Sequence, residues 1–139
     1  MLKSSFMKTL NAKRIFIVDD DPYWLALLTQ LLTALGYDNI HPFSNGNECL
    51  KNLHLNPAIV FLDYQMEEMD GLKVLQKVKE YYPGINVVFC TANEDLEVAI
   101  DAMKFGSFDY LLKSNASQKS VNEVITAMAN NQLWAEKVY

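Results

Sequence analysis

Cysteine is scarce in this chain of 139 residues, with only Cys49 and Cys90. Two cysteines cannot build a disulfide framework, and the absence of a CxxC pair or a Cys/His cluster excludes a structural zinc site of the usual kind. Both thiols read as core residues in a reducing compartment. Long apolar runs are missing as well: no stretch approaches about eighteen consecutive apolar residues, and the N-terminal tip has neither an extended apolar segment nor a cleavage signal. A soluble cytoplasmic protein without membrane contact is expected. Basic residues are outnumbered, 12 Lys and Arg against 17 Asp and Glu, for a net charge of −5. Lys3, Lys8, Lys13 and Arg14 lie in a tip without acids, so residues 15–139 sum to −9. Such a body repels phosphate backbones and anionic lipid, which argues against direct nucleic-acid binding. There is no internal repeat and no low-complexity linker.

Half of the residues are hydrophobic and about a fifth are charged, enough for one domain but not two. Residues 15–18 (IFIV) form an apolar run that ends abruptly in three aspartates, as a strand buried on both faces would. Asp21 and Pro22 then read as a helix cap and first helical residue. Trp24, Leu27, Leu28, Leu31, Leu32 and Leu35 make an apolar stripe that ends at Gly36. The alternation continues with strands near 39–43, 58–62, 86–90 and 109–112. Helices are expected near 46–55, 71–81, 94–104 and 117–133, the second stopped by Pro83-Gly84 and the third by Gly106. Alternating units with apolar strands imply a parallel sheet covered on both faces by helices. The expected organisation is an N-terminal extension at 1–12, one domain at 13–133, and a tail or linker start at 134–139.

In an open sheet of this kind ligands bind beyond the carboxyl ends of the strands, so the residues after each apolar run carry the information. Those residues are Asp19, Asp20 and Asp21 after the first strand, Asp63 after the third, Thr91 after the fourth and Lys113 after the fifth. Parallel strands bring these ends to one edge. Gathered carboxylates repel one another and call for a cation, and Mg²⁺ suits an all-oxygen set. With no His or Cys in the group, zinc and softer metals do not fit. Once Mg²⁺ and Lys113 offset the charge, an Asp carboxylate can attack a phosphoryl group.

The elements IFIVDDD, FLDYQMEEMDG, FCTA and YLLK, in that order, resemble the receiver domain of two-component response regulators of the chemotaxis-regulator kind. The resemblance implies a flavodoxin-like (βα)5 fold, a doubly wound five-stranded parallel sheet with helices on both faces. By it, Asp63 is the phosphoacceptor, and Mg²⁺ is held by Asp20, Asp63 and the backbone carbonyl of Gln65, with Asp19 acting indirectly through water. Thr91 and Lys113 would contact the phosphoryl group, and Thr91 and Tyr110 would form the switch pair. Gln65 and Asn93 stand where the family tunes phosphate lifetime. The implied partners are a histidine kinase or histidine phosphotransfer protein and an unknown output partner. That output partner could be a second copy, through the face of the fourth helix, fifth strand and fifth helix. Leu96, Val98, Met103 and Phe105 bring more apolar residues to this face than one stripe can bury, so one or two should be exposed. Such a domain signals; beyond its own phosphorylation and dephosphorylation it is not an enzyme.

Some residues have simpler readings. Asp21 is a cap, Asp70-Gly71 a turn and helix start, and Glu67 and Glu68 solvated surface. Met66 and Met69 are loop packing; His41 and His54 are structural. Ser114 departs from the family, which follows its lysine with a cis proline. A trans Lys113–Ser114 bond is expected, because a non-proline cis bond costs about 2.5–4 kcal/mol. Ser114 or Ser117 should cap the last helix. Competing readings are a receiver-like module that is never phosphorylated and a phosphohydrolase of the haloacid-dehalogenase type. Against the latter, the chain has no second acidic motif after the fourth strand and no insertion for a substrate cap. A flavodoxin is excluded because three aspartates would repel the flavin phosphate.

Overall fold

The computed structural model describes residues 14–92 and 96–138. The strands are β1 (Ile15–Val18), β2 (Ile40–Phe43), β3 (Ile59–Asp63), β4 (Asn86–Thr91) and β5 (Asp109–Leu112). The α-helices are α1 (Pro22–Ala34), α2 (Gly46–Lys51), α3 (Gly71–Tyr81), α4 (Leu96–Lys104) and α5 (Gln118–Val138). The five strands form one sheet in the order β2-β1-β3-β4-β5, and every pairing is parallel. This is the flavodoxin-like (βα)5 architecture.

Burial follows strand position. The β1 and β3 strands are buried at every residue because they lie inside the sheet under helices on both faces. The β2 strand (IHPF) is an edge, where Pro42 withholds no hydrogen bond from a central ladder. Two apolar layers result. Ile15, Ile17, Trp24, Leu28, Phe61, Ile125 and Met128 belong to one layer, and Phe16, Val60, Leu62, Val74, Val78 and Phe89 to the other. Alternate residues of β1 and β3 thus supply opposite layers, as the period of a strand demands.

Helix ends follow local chemistry. The Asp21 carboxylate accepts from Tyr23 N and the Asp70 carboxylate from Lys73 N, so both are caps. The α1 and α4 helices end alike, on glycines with φ +99°. Gly36 N donates to Thr33 O and Tyr37 N to Leu32 O; Gly106 N donates to Met103 O and Ser107 N to Ala102 O. Both are left-handed stops that glycine adopts without steric cost. Ser117 caps α5 through Ser120 N, while Ser117 N donates to Ser120 Oγ, a reciprocal capping arrangement.

Several expectations need correction. Leu27 is 42% exposed and lies outside the core stripe, which narrows to Trp24, Leu28 and Leu32 with Leu31 and Leu35 partly covered. A six-strong apolar stripe is wider than the surface the sheet and α5 can cover. The helix near 46–55 stops at Lys51 and resumes as a 3₁₀ turn over Leu53–Leu55, closed by Asn56 in the left-handed region. The last helix, expected to end near 133, continues to Val138. The extension at 1–12, Asn93 and positions 94–95, where the sequence begins its fourth helix, lie outside the described residues.

Candidate functional site

The sheet order reverses direction between β1 and β3, and the crevice beyond their carboxyl ends is where such sheets bind ligands. Asp63 and Thr91 are the last residues of β3 and β4, each still within the strand ladder, with Asp63 opposite Cys90 and Thr91 opposite Leu112. The strand therefore fixes their backbones, where the sequence placed them just beyond. Asp19 follows β1 directly and is anchored by its N–H to Phe43 O. Carboxylate oxygens of Asp19, Asp20 and Asp63 lie within 4.8 Å of one another. Asp19 and Asp63 are only 1% and 4% exposed, whereas Asp20 faces solvent.

Lys113 reaches into this group at the end of β5. Its Nζ lies 2.6 Å from Asp19 Oδ2 and 3.1 Å from Asp63 Oδ1. The lysine expected beside Asp63 is thus shared, and Asp19 holds it more closely. No cis peptide bond occurs among the described residues, so Lys113–Ser114 is trans; a short 3₁₀ turn over Lys113–Asn115 leads away from it. Lys113 still points at Asp63 because the strand, which precedes the altered bond, aims it.

Charge in the site is unevenly balanced. Burial raises the Asp63 pKa to about 6, and the neighbouring Asp19 adds to the rise, against the opposing pull of Lys113. Burial also raises Asp19 above the usual carboxylate range, despite its bonds from Lys113 and Asp21 N. For Lys113 burial works against the charge, but the Asp19 bond and the Asp63 charge outweigh it and raise its pKa. One ammonium for three carboxylates leaves the cluster short of positive charge. An all-oxygen set with that deficit fits a hard divalent cation such as Mg²⁺.

The family model for the response regulator receiver domain matches residues 15–125. This chain is a response regulator receiver domain. It is 37% identical over 100 residues to the DNA-binding transcriptional regulator NtrC of Proteus hauseri, covering 71% of this receiver and 21% of that protein. It is 31% identical over 102 residues to the chemotaxis protein CheY of Thermotoga maritima, covering 73% of this receiver and 85% of that protein. The Borrelia burgdorferi CheX-CheY-BeF3-Mg complex contains a similar chain, with TM-score 0.77 and 26% identity, covering 84% of this receiver and 88% of that chain. The receiver spans about a quarter or less of the transcriptional regulators it matches. Receiver domains of this family are in general signalling domains rather than enzymes. Among the described residues no helix is long and apolar enough to cross a membrane.

Outside the cluster, the readings of single residues hold. His41 bonds Asn39 and packs edge-on to Phe16; His54 bonds the Lys51 carbonyl. Both cysteines are buried, and burial pushes the Cys49 thiol up to about 12 and Cys90 higher still. Met66 and Met69 pack partly against the core, and Glu67 and Glu68 are exposed. Val98 is buried while Met103 and Phe105 are exposed, and the Leu96 side chain lies outside the described residues. Ile100, unforeseen on this face, is exposed beside Met103, and Tyr110 is 38% exposed. Ala99, Ile100, Met103, Lys104 and Tyr110 line one shallow groove.

Gly71 has a tighter role than a turn and helix start. A β-carbon there would collide with the Asp63 carbonyl oxygen and stand 2.9 Å from Tyr64 Cα. The start of α3 therefore lies directly against the backbone at the end of β3, and Gly71 N donates to Tyr64 O. Glycine to alanine in a helix is ordinarily stabilising by about 1 kcal/mol. Here Gly71→Ala is expected to destabilise by about 2 kcal/mol or more, since backbone must move. A urea midpoint equal to or above wild type would contradict this contact.

Proposed function

We propose that this receiver is a phosphoacceptor switch in which Asp63 takes a phosphoryl group from a histidine kinase or histidine phosphotransfer protein. The supporting observation is the buried Asp63 carboxylate, held at a strand end 3.1 Å from Lys113 Nζ and beside two further acids. A carboxylate oxygen of Asp63 forms a bond to phosphorus as the donor's phosphorus–nitrogen bond breaks, giving an acyl phosphate; the imidazole leaves with the bonding pair and takes up a proton. Asp20, Asp63 and the Gln65 carbonyl would hold Mg²⁺, with Asp19 acting through water, and the ion would supply charge neutralisation at the phosphoryl oxygens. Lys113 stabilises negative charge from the other side, and the Thr91 hydroxyl donates to the incoming group. The likeness to a chain of the Borrelia burgdorferi CheX-CheY-BeF3-Mg complex supports this reading.

The switch pair is Thr91 and Tyr110. The output surface is the face of α4, β5 and α5, open to an output partner or to a second copy. A cytoplasmic location agrees with soluble kinase domains as donors.

The test is labelling by a small phosphoryl donor such as acetyl phosphate. One phosphoryl group per chain, dependent on Mg²⁺ and lost in EDTA, is expected. No uptake would favour the module that is never phosphorylated, and sustained turnover of a small phosphate ester would favour the phosphohydrolase.

The donor protein must cover the carboxyl edge of the sheet, where Tyr23 is 86% exposed at the start of α1. Tyr23→Asp is expected to slow transfer from the cognate kinase about tenfold or more while labelling by acetyl phosphate is unchanged. Equal loss with both donors would contradict a docking role for this residue.

A further inference from the structure

The apolar stripe of α1 accounts for the burial of Trp24 but not for where its ring lies. Trp24 is 6% exposed and packs in the layer that contains Leu28, Leu111 and Val121. Lys113 Nζ stands 5.3 Å from the ring centroid. The same ammonium is 2.6 Å from Asp19 and 3.1 Å from Asp63. Three groups from three separate elements therefore surround one cation: the residue after β1, the end of β3 and the first turns of α1.

We propose that Trp24 is a positioning residue for Lys113, its indole face holding the ammonium over the acceptor carboxylate. Two carboxylates alone leave a lysine head free to slide or to turn toward water, because its stem has four rotatable bonds and its donors are not directional. An aromatic face attracts a cation through its quadrupole, most strongly for tryptophan and where water is largely excluded. It does so without adding negative charge to a cluster that already has three acids, and without offering a hard cation another ligand. The ring thus lets the ammonium shift from the Asp63 carboxylate to a phosphoryl oxygen without losing its place. Trp24 touches no reacting atom in this scheme; it acts through Lys113. This inference rests on the proposed phosphoacceptor role, so its test includes a readout independent of labelling.

The experiment uses the full chain as Trp24→Leu, which keeps apolar bulk but no ring, and Trp24→Phe, which keeps an aromatic face. At saturating Mg²⁺, labelling by acetyl phosphate is expected to slow about tenfold in Trp24→Leu and no more than about threefold in Trp24→Phe. Because either variant can lose core packing, a second series leaves the shape intact: fluorinated tryptophans at position 24, with Trp134→Phe so that no other site carries the analogue. Labelling should slow stepwise as fluorine weakens the ring quadrupole. Independently of phosphorylation, the Lys113 side-chain proton signals should be shifted upfield by the indole ring in the wild type and return to ordinary positions in Trp24→Leu. Equal labelling by the Leu and Phe variants, or a rate indifferent to fluorination, would overturn the proposal, and so would an unshifted Lys113 signal in wild type. An unlabelled wild type with a shifted Lys113 signal would instead overturn the phosphoacceptor reading and leave the cation–ring contact standing.

Discussion

Asp63→Asn is expected to abolish Mg²⁺-dependent labelling and at the same time to make the metal-free protein more stable at neutral pH. Both effects come from one carboxylate. Its folded pKa of about 6 lies above the ordinary value of 3.8, so the folded state holds a proton that the unfolded chain releases earlier. Between about pH 4 and pH 6 the folded state binds more protons, and stability falls as pH rises. Above that window the full penalty of an ionised, buried Asp63 is present, about 2 kcal/mol after allowing for water reaching the site. Asparagine keeps the shape and an oxygen for Lys113 but carries no charge. In EDTA, urea midpoints should therefore coincide near pH 4, diverge in favour of the variant by pH 7.5, and converge again when Mg²⁺ is added to the wild type. A label retained by Asp63→Asn would remove Asp63 as acceptor. A stability difference that ignores pH would show that packing rather than charge separates the two proteins.

Lys113→Met is expected to act in the opposite direction. Methionine keeps much of the apolar stem, but Asp19 and Asp63 then face each other without their cation at 1% and 4% exposure. Removing one partner of a buried ion pair leaves uncompensated charge, and because the Lys113 side chain is 18% exposed the loss should be moderate, about 2–3 kcal/mol in EDTA at pH 7.5. As the pH falls through about 6 Asp63 takes up a proton, and much of the loss should vanish. Mg²⁺ should restore much of the stability at pH 7.5, because a divalent cation supplies the missing charge. Labelling should nevertheless stay at least about tenfold slow, since the ion does not replace the ammonium at the phosphoryl oxygens. Denaturation across pH with and without Mg²⁺, beside a labelling time course, separates these effects. Loss of stability that persists unchanged at pH 5 would mean that the lysine stem, not its charge, is what the fold needs.

Stability and the proposed phosphoryl chemistry are opposed in this site. Burial raises Asp19 and Asp63, which costs stability, but the same exclusion of water strengthens every charge contact that a phosphoryl group would meet. Gly71 belongs to the same arrangement, because only a residue without a β-carbon lets α3 start against the backbone of Asp63.

Periodicity and end signals in the sequence were enough for the succession of strands and helices and for the sheet type. A strand buried on both faces must be apolar along its covered length, as IFIV and the VVFC of β4 are, and helix ends are written in local residues such as Asp21, Asp70, Gly36 and Gly106. Acids, a threonine and a lysine at strand ends were legible for the same reason: parallel strands bring all their carboxyl ends to one edge. Contacts between distant residues were decided only by tertiary packing. Lys113 meets Asp19 across 94 positions and prefers it to Asp63 by distance, a result of how β5 is placed relative to β1. Leu27 emerges from the core because the covered width of α1 depends on its neighbours, not on its own period. Gly71 and Trp24 look like a turn residue and a core residue because nothing local records what another element will bring beside them. Hydrogen bonds and caps within one turn are specified by adjacent residues; the distances between β1, β3, β5 and α1 exist only once the whole sheet has closed.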